Sequence, residues 1–488
     1  MPLSNRFRLA LAGASALALA ACQTVGPEFQ HPADPKGAKA AGYAMAGDPI
    51  AAGVSLSPDS RPAGPWWEAF GSPELNEAVR TALADSPTLA AANATLERAQ
   101  AEARAAKGDQ QVKVDATGSV QKERINTQAF GFTGFPSPTI PLYSIGGNVT
   151  YDLDLFGGKR RVTEAARARA EAAARQADAA YLTLSSNVAA QAMKIAGLRA
   201  EIAQVEQIVA DDNRFIDMVR RAQALGGEAL TAANNALALR AEDQAMLPPL
   251  QRQLAEARHQ MALLAGKSPA EWTAPDIDLD RLRAPATLPV SLPSTLVRTR
   301  PDIQESEAEL HAATAQIGVA IANQYPDIKL TANLTQSAIH PEDLFNYSSA
   351  GWNLLSGVTA PILNGGKLKA QQRAAEAEAR AALARYQQTV LRAFVQVSDV
   401  LSDLATDDKA IANQTQTLGL AQANVRDYEN GYRLGGTTLY QLVDAQRTLS
   451  RARRAMVTAQ AQRYSDLVQL YAATAAAYRP ESTQQAKN

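Results

Sequence analysis

The side chains able to do chemistry are few in this chain and poorly spaced for it. A single cysteine, Cys22, leaves no partner for an internal disulfide and no cysteine cluster for a metal. The four histidines, His31, His259, His311 and His340, stand far apart, without the short spacings that let side chains converge on zinc. Gly157-Gly158-Lys159 and Gly365-Gly366-Lys367 lack the full spacing of a phosphate loop and fit strand-to-helix junctions instead. Asp399, Asp403 and Asp407 share a helix face, which reads as a wetted surface or as the lining of a water-filled space. Arg298 and Arg300 fall where two halves of the chain join and read as structural. No nucleophile, base or metal constellation is present, which speaks against an enzyme. A net charge of -1 gives no reason to expect a nucleic-acid partner.

What the chain has instead is uninterrupted helical sequence. Gly365 to Asn430 holds no proline and, after the opening pair, one glycine, Gly419; strong helix formers fill the rest. At about 1.5 Å per residue such a helix spans roughly 100 Å, more than a globular domain accommodates. Leu383, Val390, Phe394, Val397, Leu401 and Leu404 fall on steps of seven, four and three, the period of a coiled-coil seam. The segment has a twin. Gly157-Gly158-Lys159 matches Gly365-Gly366-Lys367 at an offset of 208, and Leu225-Gly226-Gly227 matches Leu434-Gly435-Gly436 at 209. The twin's seam runs Leu184, Val188, Gln191, Ile195, Leu198, Ile202, Val205 and Val209, with Gln191 its polar interruption. The chain is thus an internal duplication.

Before each long helix the period drops to two. Val112, Val114, Ala116, Gly118 and Val120 alternate with polar residues, as do Ile145, Gly147, Val149, Tyr151, Leu153 and Leu155. The second copy repeats this at Ile328, Leu330, Ala332 and Leu334, then at Trp352, Leu354, Ser356, Val358, Ala360 and Ile362. The aromatic, proline-bearing stretch Phe130 to Pro138 between the first two strands reads as an exposed rim. Strands of about ten residues with one apolar and one polar face suit a tilted transmembrane β-strand. Alternation alone fits soluble hairpins as well; the long helices favour the membrane reading. Four strands cannot close a barrel, which needs about eight, so several copies must pool them. Two chains would supply eight strands and three would supply twelve. One return helix plus one lead-in helix is about as long as a descending helix, so end-to-end stacking would build a wall of helical columns. Pro248-Pro249 should kink or break the first return helix.

Met1 to Ala21 carries Arg6 and Arg8, then a mostly apolar run from Leu9 to Ala21, too short to span a bilayer that needs about 20 residues. It reads as a signal peptide. The run ends Leu19-Ala20-Ala21-Cys22, which resembles the lipobox of bacterial lipoproteins, where cleavage leaves an acylated cysteine at the new N-terminus. Gln23 in place of aspartate implies sorting to the outer membrane, and a multiply acylated cysteine anchors stably. The expected plan is a signal peptide over 1–21, a lipidated tether or extended wrap over 22–65, a first repeat over 66–285 and a second over 286–478, with a disordered tail over 479–488. The first repeat holds a helix from Ser86-Pro87, strands near 112–121 and 144–155, a long helix over 157–225 and a return helix over 228–265. The second holds a helix over 301–324, strands near 327–336 and 351–362, a long helix over 365–430 and a return helix over 437–475.

Further stretches carry a resemblance along nearly the whole chain. Val25-Gly26-Pro27-Glu28-Phe29 with Pro32 follows the lipobox; Arg298 to Ile303, Ile317 to Ala320 and Tyr325 to Ile328 mark the second repeat; and Tyr432 to Gln446 lies near the end. With these the chain resembles the TolC-like outer-membrane efflux lipoproteins of Gram-negative bacteria, the OprM/NodT type. The resemblance implies a mainly helical fold with a transmembrane β part. It implies a homotrimer that forms a twelve-stranded barrel in outer-membrane lipid and a periplasmic tunnel of helices. It also implies a periplasmic adaptor protein and an inner-membrane efflux pump as partners, and no cofactor beyond the covalent lipid on Cys22. Carried over by position, the periplasmic gate falls on Tyr440 and Asp444, one turn apart on one helix face. Three copies of Asp444 would repel one another and attract cations. Gln441 stands where some relatives carry a further aspartate, which implies a milder acidic constriction. By the 209 offset their first-copy counterparts are Thr231 and Asn235, neither charged nor aromatic. The turns Leu225-Gly226-Gly227 and Leu434-Gly435-Gly436 would meet the adaptor. The implied function is a passive exit duct for drugs or other small solutes. A non-conducting lipid-anchored coiled-coil scaffold and the exit port of a protein secretion system are the alternatives.

Overall fold

The computed structural model describes residues 24–33, 42–43, 45, 47–48, 54–56, 65–131, 133–134, 136–226, 229–285, 288–290 and 293–474. The expected signal peptide, Cys22, Gly227, most of the tether and the tail lie outside the described residues. Helices α1 (Pro73–Asp85), α2 (Pro87–Gly108), α3 (Gly158–Ala224), α4 (Leu230–Gln244), α5 (Leu247–Leu264), α6 (Pro301–Ala322), α7 (Lys367–Arg433) and α8 (Leu439–Ala473) are joined by strands and short turns. The main strands are β1 (Lys113–Arg124), β2 (Thr139–Leu153), β3 (Asp327–Ala338) and β4 (Ala350–Thr359). The two long helices are 67 residues each, as a duplication requires.

Local sequence explains where the elements start. Pro73 opens α1, with the Ser72 hydroxyl accepting from the Leu75 amide at 3.1 Å, while Pro87 and Pro301 open α2 and α6. Proline suits the first helical turn because its missing N–H would have no partner there. The same logic corrects the first return helix. The expected single helix over 228–265 is two helices, α4 and α5, parted at Ala245–Met246, with a proline in the first turn of α5.

Contacts gather the chain into two units that cut across the repeats. The first comprises the described parts of Met1–Pro32, Thr95–Ala173 and Glu305–Tyr386. At its centre is an antiparallel sheet in the order β1-β2-β3-β4. Register places like against like. Val114 faces Val149, which faces Ala332, which faces Leu354; across the other surface Asp115, Asn148, Asn333 and Asn353 form the matching polar row. The Asn333 amide donates to Asn353 at 2.9 Å, and the Ser144 and Ser337 hydroxyls meet at 2.9 Å. One surface is therefore apolar across all four strands and yet exposed: Val114, Leu334, Trp352 and Leu354 are each more than half exposed. Among the described residues no helix is long and apolar enough to cross a membrane.

The second unit is helical and comprises the described parts of Ala33–Ala94, Ala174–Gln304 and Gln387–Asn488. Seam residues fill its core: Val188, Ile195, Val205, Val390 and Val397 are fully buried, although Leu383, on the first unit's share of α7, is 37% exposed. The polar interruption Gln191 donates its amide to the Ala257 carbonyl at 2.8 Å, which joins α3 to α5. A cluster of Trp66, Phe70 and Tyr471 packs the end of α8, with Trp66 and Tyr471 stacked at 5.2 Å. Part of the expected tether is ordered here, since Val54–Leu56 pairs in parallel with Leu288–Val290. Arg300, buried at the repeat junction, donates to Asp302 at 2.8 Å and to the Ala473 carbonyl at 2.9 Å, holding the last turn of α8.

Candidate functional site

Both glycine turns are chain reversals in the second unit. Gly226 and Gly435 adopt φ of 78° and 74°, the left-handed conformation that favours glycine after a helix. At the second turn the Gly436 amide reaches back to the Gly431 carbonyl at 2.8 Å and the Gly435 amide to Tyr432 at 3.1 Å, which closes the end of α7. Leu225 and Leu434 project from the two turns at 88% and 86% exposure. Behind them Phe215, Ile216, Val219, Ala232, Ala233, Ala236 and Leu442 form one core, with Tyr428, Tyr432, Leu439 and Val443 packed on it. The first and second repeats thus share a core next to the turns.

That core dictates the orientation of Tyr440 and Asp444. Leu442, Ala445 and Leu449 mark the buried face of α8, and at about 100° per residue Tyr440 and Asp444 fall on the opposite face. Tyr440 is 81% exposed and Asp444 is exposed one turn later. The α8 start is fixed by a reciprocal cap: the Thr438 hydroxyl accepts from the Gln441 amide, and the Gln441 side chain accepts from the Thr438 amide at 2.9 Å. Gln441 is therefore committed to holding the helix end. Thr231 and Asn235 are likewise exposed on α4.

Sequence reasoning missed the charged groups just beyond this core. Arg453 of α8 donates to Asp211 of α3 at 2.6 Å, and Arg447 of α8 to Glu242 of α4 at 3.3 Å, so two ion pairs tie the helix carrying Tyr440 and Asp444 to the first repeat. Between them Asp212, 4% exposed, meets Asp243, 9% exposed. Burial, then the charges of Asp243 and Asp211, push the Asp212 carboxyl up to about 7, so that it holds a proton against Asp243; Arg240 opposes this only in part. Asp243 is also raised, first by burial, despite Arg454 nearby. The signal was present in the sequence, because Asp212 falls three residues after Val209 of the expected seam and is followed at steps of three and four by the buried Phe215 and Val219, a carboxyl at an apolar position. The acidic face of α7 is also more than a wetted surface. Burial and contact with Asp466 on α8 push Asp407 up to about 7, while Asp466 accepts from Gln462 and Gln469 at 3.0 Å each.

No described group of three or more His, Asp or Glu side chains is arranged to hold a metal. The arrangement is one of outward-facing side chains beside the two glycine turns of the helical unit. Residues 78–267 and 292–476 match the sequence profile of the family described as outer membrane efflux protein. The chain belongs to that family. This efflux protein is 30% identical over 430 residues to the pyoverdine export outer membrane protein OpmQ of Pseudomonas aeruginosa, a match covering 87% of this chain and 89% of that one. It is 26% identical over 458 residues to the cation efflux system protein CusC of Escherichia coli, covering 94% and 96% of the two. Among solved structures, the outer-membrane channel OprN matches with a TM-score of 0.84 and 26% identity, over 93% of this chain and 99% of that one. The fold is that of the TolC-like channels, and the protein is an outer-membrane efflux channel.

Proposed function

We propose that three copies of this efflux protein pool their sheets into one barrel and their helices into one periplasmic tunnel, a passive exit for small solutes. The observation that carries this reading is the sheet itself. Among the described residues, β1 and β4 each have one unpaired edge and nothing covers the exposed apolar surface between them. In lipid such edges cost several kcal/mol for each unpaired backbone group, whereas pairing β4 of one copy with β1 of the next removes them. Tyr440 and Asp444 form the gate at the inner end, and Leu225, Gly226, Gly227, Leu434, Gly435 and Gly436 receive a periplasmic adaptor that links the channel to an inner-membrane pump. Cys22 carries the lipid anchor. OpmQ is named for pyoverdine and CusC for cations; a passive duct leaves that choice to the pump. Native mass spectrometry of the purified protein tests the assembly. A trimer whose N-terminal peptide bears acyl mass on Cys22 is the expected result, and a monomer or dimer in a membrane-inserted preparation would contradict it.

A further inference from the structure

Arg161, in the opening turn of α3, is 1% exposed, an unusual place for a guanidinium, and the family function leaves it without a task. Its donors are nearly all turned on the segment that follows Cys22. Nε donates to the Val25 carbonyl at 3.1 Å, and Nη2 to the Gly26 carbonyl at 3.3 Å and to Glu28 at 2.7 Å. Nη1 donates to Glu164 at 2.7 Å, and Glu164 in turn meets His311 of α6 at 3.0 Å. The segment is held along its length. The Val25 amide donates to the Phe156 carbonyl at 3.1 Å, Phe29 stacks on His311 with ring centres 4.3 Å apart, and His31 pairs with Glu307. The backbone approach is as close as glycine permits: a Cβ on Gly26, which has φ of 93°, would lie 2.5 Å from the Gly318 Cα. A Cβ on Gly318 would in turn lie 2.8 Å from the Arg161 side chain. Thr24 itself sits against Gly157, where β2 gives way to α3.

We propose that Arg161 is a positioning residue that docks residues 24–31 as a strap and so fixes the acyl anchor at the foot of the sheet. The proposal rests on the reading that Cys22 is acylated. Only Gln23 lies between Cys22 and Thr24, and two steps of extended chain span at most about 7 Å. A docked Thr24 therefore turns the lipid from a loose tether into a short strut, and the partner it meets is the lipid surface at the level of Gly157. Without the strap the same lipid would hang on a free segment of ten or more residues, and its position would no longer be set by the fold. The repeats support a dedicated role: the second-copy counterpart of Arg161 at the 208 offset is Lys369, which is exposed.

The test compares wild type, Arg161→Ala and Arg161→Lys as full chains in lipid nanodiscs. Tyr325, whose ring stacks on Phe156 at 4.6 Å, is replaced by photoreactive benzoylphenylalanine to report on the strap. In wild type, cross-links from position 325 should capture the acylated N-terminal peptide, and the Val25 amide should exchange slowly with deuterium. In Arg161→Ala the cross-link should disappear and the Val25 amide should exchange at least ten-fold faster, while amides of β2 and β3 keep their protection. Arg161→Lys, whose single ammonium cannot span these acceptors, should fall between them and carries the test if the alanine variant does not accumulate. A merely structural arginine would change sheet protection and leave the strap in step with it. Wild-type cross-linking and exchange in an acylated Arg161→Ala protein would overturn the proposal. An N-terminal peptide without acyl mass would instead sink the lipid reading, and mass alone separates the two failures.

Discussion

Burial beside Asp243 raises the Asp212 carboxyl to about 7 and so makes stability depend on pH. The folded protein keeps a proton on Asp212 up to about pH 7, whereas an ordinary aspartate loses it near pH 4. Between these values the folded state binds more protons than the unfolded one, so stability is highest on the acid side of the window and falls as pH rises to about 7. Asp212→Asn, which mimics the protonated carboxyl, should flatten this dependence and stabilise the protein at pH 8 by on the order of 2 kcal/mol. Melting temperatures of both proteins at pH 5, 6, 7 and 8 check it; parallel curves would show that the carboxyl is already ionised in the fold. Single residues were the least legible scale. The family resemblance, carried over by position, placed Tyr440 and Asp444 one turn apart on one helix face, where both are exposed. The Thr438–Gln441 cap is local and was open to sequence reading, but the burial of Asp212 against Asp243 and of Arg161 against residues 25–28 was not, because each depends on a partner distant in sequence.

Elements were the most legible scale, since period and punctuation are local. The long helices emerged within a few residues of their expected ends, and Pro248-Pro249 divided the first return as a missing amide and a ring clash require. Less was visible where pairing is distant: nothing local in Val54–Leu56 announces a parallel partner at Leu288–Val290. The sheet's two faces carry the clearest consequence at this scale. Val149 belongs to the apolar row and Asn148, beside it, to the polar one. If the apolar row meets lipid, Val149→Arg should destabilise the inserted barrel by about 2–4 kcal/mol, whereas Asn148→Arg should be tolerated. The fraction of each variant that remains a folded oligomer on unheated gels measures the difference, and equal loss from both would mean that neither surface faces lipid.

At the scale of the whole molecule, one chain is an incomplete object. Among the described residues its sheet has open edges and an uncovered apolar surface, its two long helices run 67 residues each, far more than four strands need for support, and the proposed gate residues Tyr440 and Asp444 would close an aperture only where copies bring them together. Ion pairs from Arg447 and Arg453 clip α8 to α3 and α4 of the first repeat, so widening the proposed aperture would require those contacts to yield or to move with it. Single-channel conductance in a planar bilayer, with Asp444→Ala and Tyr440→Ala measured beside wild type, tests the account most directly. A gated duct predicts small, cation-favouring events in wild type, with larger conductance from either variant and weaker cation preference in Asp444→Ala. Correctly inserted oligomers that conduct nothing, in wild type and both variants alike, would contradict the duct itself.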